Sequence, residues 1–94
     1  MAILNDQVYV DSHSATFMTA ADLAGAETVP PTPRFNRHGD RVTHITDRFV
    51  LGGSRECYRI WKFQSTEEPV EFPVTDEGWV LAWTTFRRLE SAAP

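Results

Sequence analysis

The sequence predicts a small α+β domain: an antiparallel sheet packed by a C-terminal amphipathic helix, with a short helix near the N-terminus. Three observations carry this expectation. β-Forming residues cluster in short runs between Arg41 and Val74, and turn residues punctuate them. Apolar residues then recur with helical spacing from Trp79 to Leu89. A chain of 94 residues has room for one hydrophobic core, so residues 1–94 are read as a single domain. The composition is that of a globular protein, 41% hydrophobic and 23% charged. Its three Trp, two Tyr and six Phe supply large apolar areas that offset an unfavourable surface-to-volume ratio.

Taken in order, Gln7 to Asp11 carries the β-formers of a short strand and runs into the polar turn Asp11-Ser12-His13-Ser14. A helix of little more than one turn follows at Met18 to Gly25. Thr19 is its N-cap, Asp22 stands at the capping-box position, and Gly25 stops it. So short a helix must lean on the core. Residues 28–40 contain three prolines, which remove backbone donors and push their predecessors out of the helical region; they read as an extended connecting loop. Arg41 to Leu51 is rich in β-formers interrupted at Thr46-Asp47-Arg48, the pattern of one broken strand or a hairpin. Gly52-Gly53-Ser54 reads as a turn. Glu56 to Gln64 is the clearest strand, and it pairs with Val70 to Val74 as an antiparallel hairpin in which Pro73 requires an edge or a strand end.

The C-terminal helix has Thr75 as N-cap, Asp76 and Glu77 in its first turn, and Arg87 and Arg88 in its expected last turn. Trp79, Ala82, Trp83, Phe86 and Leu89 form one stripe that covers a sheet face. Val80 and Leu81 lie off that stripe and present apolar surface unless a second side is buried. Trp61 and Phe63 are the expected strand partners of the stripe.

The net charge of −4 conceals a block pattern. Residues 1–33 hold four acids and no Lys or Arg. Between Arg34 and Lys62, seven cations face three anions, a net of +4; the remainder nets −4. No stretch approaches the ~20 apolar residues of a membrane span, and the start lacks a basic leader and an apolar h-region, so a cytoplasmic protein without membrane insertion is expected. The single Cys57 cannot form an intrachain disulfide and fits a reducing compartment.

The C-terminal half resembles a short module of actinobacterial proteins whose function is uncharacterised. The shared pattern is Thr46-Asp47-Arg48-Phe49 with Leu51-Gly52, Ile60-Trp61, Pro69-Val70, and Phe72-Pro73-Val74-Thr75-Asp76-Glu77-Gly78-Trp79 leading to Ala82-Trp83, Phe86 and Leu89-Glu90. Lys62 departs from it, since an acidic residue is expected there, and residues 1–40 have no counterpart. The resemblance implies a fold unit and transfers no catalytic residue. The Thr-Asp-Arg turn followed by a terminal helix is also similar to bacterial pleckstrin-homology-like domains.

For function, the leading expectation is a noncatalytic protein–protein interaction or accessory module, meeting another protein or a second copy of itself. Its contact surface would be the open sheet face or the arginine-bearing loop 34–41. The candidate contact residues are Arg34, Phe35, Arg37, His38, Arg41, Arg55, Arg59 and Lys62. An alternative reads the same basic block, with Phe35, Tyr58 and Trp61 as stacking aromatics, as a nucleic-acid surface. A third centres a small enzyme or metal protein on His13, His38 and His44, although their spacing matches no metal or catalytic motif. No cofactor is expected. Cys57 reads as a small buried strand residue.

Overall fold

The computed structural model describes residues 8–10, 15–36 and 39–92. Its elements are β1 (Val8–Val10), β2 (Thr16–Phe17), α1 (Ala20–Gly25), β3 (Pro33–Phe35), β4 (Arg41–Ile45), β5 (Phe49–Gly53), β6 (Cys57–Lys62), β7 (Val70–Pro73) and α2 (Asp76–Ala92). β2-β4-β5-β6-β7 form one sheet, antiparallel except for the parallel β2–β4 edge, while β1 and β3 make a separate parallel pair. This is the expected small α+β architecture. No helix among the described residues is long and apolar enough to cross a membrane.

α2 packs on the sheet through its apolar stripe. Trp79, Ala82, Trp83 and Phe86 are buried against Leu51, Tyr58 and Ile60, with Leu23 of α1 and Phe35 of β3 closing the cluster. Tyr58 meets Trp79 edge-on with ring centroids 5.1 Å apart, and Trp83 lies 6.0 Å from Phe86; such contacts add to plain area burial. Thr75 caps α2 by accepting from Gly78 N at 2.9 Å. A Cβ at Gly78 would collide with the Pro73 carbonyl, so glycine lets α2 start directly against the end of β7. α1 has the full capping box, with Thr19 and Asp22 exchanging side-chain-to-backbone bonds at 3.0 and 3.2 Å.

Of its two expected readings the interrupted segment 41–51 takes the hairpin: Thr46 N donates to Phe49 O at 2.9 Å across a two-residue Asp47-Arg48 loop. Other expectations are corrected. Gly52 and Gly53 belong to β5, and the turn begins at Ser54. A Cβ on Gly52 would strike the Arg41 carbonyl of β4, so that glycine serves close strand approach rather than chain reversal. The face of β6 toward α2 carries Tyr58 and Ile60; Trp61 alternates to the other face, and Phe63 lies beyond the strand end, exposed. α2 continues to Ala92, so Arg87 and Arg88 stand before its last turn. Arg87 instead donates to the Leu23 and Ala24 carbonyls at 3.2 and 3.1 Å, capping α1.

The proline-rich segment is not a free connection. It contains β3, and four side-chain bonds from distant elements hold its carbonyls: Trp79 Nε1 to Pro30 O at 3.0 Å, Tyr58 Oη to Pro33 O at 3.3 Å, and Arg55 to Phe35 O at 3.1 Å and Asn36 O at 2.7 Å. Prolines remove donors but leave acceptors, and buried acceptors need partners. Burial, assisted by Asp76, pushes the Tyr58 hydroxyl up to about 12, so it remains a donor at neutral pH. The predicted turn at 11–14 lies outside the described residues, as do Gln7 and Asp11 at the ends of the first predicted strand.

Candidate interaction surface

The fold divides the described residues of the basic block: Arg34, Phe35 and Arg55 line one concavity of about 470 Å³ together with Tyr58, whereas Lys62 lies at the far end of β6. Arg34 is exposed on β3, whereas Phe35 beside it is buried and tilted against Tyr58 at 6.2 Å. Two of the three aromatics expected to stack on bases are therefore in the core. Arg55 spends its guanidinium on the Phe35 and Asn36 carbonyls. Arg41 donates to Asp40 O at 2.9 Å, while its Nε is buried without a partner. Arg59 forms ion pairs with Asp40 and with Glu71, the latter at 3.0 Å; the Glu71 hydrogen bond above all holds the guanidinium further in its charged form. Lys62 is exposed at the end of β6. Arg37 and His38 lie outside the described residues.

His44 does not face an open site. On β4, opposite Leu51, its ring lies 5.0 Å from Trp83 and 6.3 Å from Trp79, and Nδ1 is 3.0 Å from Thr43 Oγ1. Thr43 Oγ1 itself donates to Leu51 O at 3.0 Å, so Nδ1 is the donor to Thr43 and carries the ring proton. Burial lowers the His44 pKa to about 4, and the ring is neutral at pH 7. Among the described residues, no three His, Cys, Asp or Glu side chains are placed to hold a metal ion. Cys57 is half-buried; burial raises its pKa and nearby Arg59 partly opposes this, leaving a thiol rather than a nucleophilic thiolate at pH 7.

A more apolar concavity lies elsewhere, where the β4–β5 loop, the end of β6 and the end of α2 converge. It has a volume of about 730 Å³, and Phe17, Phe49, Phe63, Leu89 and Ala92 provide its apolar lining. Arg48, Lys62 and Asp47 also line it. Each wall has a local cause. Phe17 is brought there by parallel pairing of β2 with β4, in register with Ile45. Gln64, at φ 56°, adopts the left-handed conformation just after Phe63 and turns the chain away. The loop itself is fixed by Thr46, whose Oγ1 accepts from Arg48 N and Phe49 N at 3.3 and 3.0 Å and donates to Glu90 Oε2 at 2.8 Å. A smaller cleft of about 260 Å³ adjoins on the other side of Phe17, lined by Met18, Asp47 and Glu90 among others.

Of the predicted contact residues, this groove collects Lys62. Phe17, Phe63 and Arg48 were not on that list. Phe17 precedes the α1 cap and belongs to no amphipathic pattern, which is the signal a sequence offers for a stranded apolar residue. Comparison of the chain with protein-family models, curated proteins and solved structures returns no match.

Proposed function

We propose that the chain is a noncatalytic protein–protein interaction or accessory module that meets its partner through the groove between Phe17 and Phe63. The observation that carries this reading is the exposure of these two rings, 68% and 43%, in a chain that buries Trp79, Trp83, Tyr58 and Phe86 almost completely. Large exposed aromatics flanking a concavity are what interface hot spots are made of. The resemblance of motifs within residues 46–90 to a module of uncharacterised function, which transfers no catalytic residue, agrees with this class. The groove is preferred to the arginine-bearing loop 34–41 because Phe35 of that loop is buried in the core. A cytoplasmic setting suits a chain with one unpaired cysteine.

The test is affinity capture by the tagged chain and by its Phe17→Ser variant, each with and without nuclease. A stoichiometric protein retained by the wild type after nuclease treatment and lost by Phe17→Ser, with the melting temperature unchanged, is the expected result. Capture that survives Phe17→Ser would remove the groove from the proposal. Capture that vanishes with nuclease would replace the proposal with nucleic-acid binding.

A further inference from the structure

Most cations among the described residues are engaged within the fold. Arg59 is paired with Asp40 and Glu71, Arg41 and Arg55 donate to backbone carbonyls, Arg87 caps α1, and Arg88 reaches Thr85 Oγ1 at 3.5 Å. Arg48 and Lys62 have no side-chain hydrogen bond or ion pair among the described residues, and both are exposed. Both also line the same apolar groove. With Asp47 the only acid among the described lining residues, these residues carry a formal charge of +1 in a chain whose net charge is −4.

Resting on the interaction-module reading, we infer that the groove is built for an acidic peptide segment: apolar side chains seated between Phe17, Phe63 and Leu89, flanked by carboxylates that meet Arg48 and Lys62. Charge complementarity across an interface selects partners and raises association rates, and rim charges act on the association rate and its salt dependence. A basic segment would face two cations at the rim and be disfavoured there.

The probe is a random library of displayed 12-residue peptides selected on the full chain, in parallel with selection on the Arg48→Glu/Lys62→Glu double variant. Both positions are exposed, and Arg48→Gln/Lys62→Gln serves if the reversed variant fails to fold. Sequences enriched on the wild type combine Leu, Ile, Phe or Trp with Asp or Glu. They lose about tenfold or more in affinity on the charge-reversed variant, as expected for two rim charges, and weaken with added salt. Enriched apolar sequences without acidic bias, or an acidic bias that survives charge reversal, would overturn the inference while leaving the interaction module intact. No enrichment on either protein would count against the module itself. A concentration-dependent dimer in sedimentation, dissociated by the charge-reversed variant, would give the groove to a second copy and overturn the inference as well.

Discussion

Thr46 and Glu90 stand 44 positions apart in the chain, and the Thr46 hydroxyl donates to Glu90 Oε2 at 2.8 Å in a buried setting. This one bond fastens the last turns of α2 to the β4–β5 loop, and so joins two walls of the apolar groove. The same hydroxyl accepts from Arg48 N and Phe49 N, so the loop conformation and the helix position share a single atom.

Thr46→Val keeps the shape but deletes that atom, leaving Glu90 Oε2 and two backbone donors without their partner. The expected loss is about 1–3 kcal/mol, the usual cost of unsatisfied buried polar groups. Glu90→Gln retains an acceptor and should lose less. Urea unfolding of both variants checks the order.

Trp83→Ala empties a fully enclosed aromatic site and should cost about 3–5 kcal/mol. Leu81→Ala, on the outer face of the same helix and 55% exposed, should change stability by no more than about 0.5 kcal/mol. Thermal or denaturant unfolding decides; a similar loss for both would mean that α2 presents another face to the sheet.

Trp79→Phe preserves most of the ring packing but removes the donor to Pro30 O. A loss of roughly 1 kcal/mol from the bond is expected, together with the larger local effect that amides of residues 28–36 exchange faster. Hydrogen exchange read by residue separates this from uniform destabilisation.

His44 makes the fold sensitive to acid in a defined window. Its folded pKa of about 4 lies below the ordinary 6.5, so between these values the unfolded chain binds the proton that the folded ring refuses. The contribution is fully present above pH 6.5 and is lost as pH falls, by roughly 3 kcal/mol once pH drops below 4. Unfolding free energies measured from pH 7.5 to 4 for the wild type and His44→Leu should diverge in slope over this range, with the variant flatter.

The sequence by itself determined whatever depends on neighbours along the chain. The stripe from Trp79 to Phe86, the Thr75 cap, the Thr19–Asp22 capping box and the pairing of β6 with β7 are set by residues within one or two turns, or across one short connection. What only the tertiary structure decided are matters of long-range partnership. Residues 28–36 look like a loose connection because prolines offer no local bonds, yet Trp79, Tyr58 and Arg55 fasten them from 19 to 49 positions away. Tyr58 and Trp61 are both large aromatics on one strand, and only the side on which α2 docks puts Tyr58 in the core. Arg87 looks like a cap for its own helix and caps α1 instead. The groove is the strongest case, since Phe17, Arg48, Lys62 and Leu89 meet only after a parallel edge strand, a hairpin loop and a helix end have converged. Periodicity and capping record short-range energetics, whereas the choice of partner for a buried carbonyl or an exposed ring is made by the packing of the whole chain.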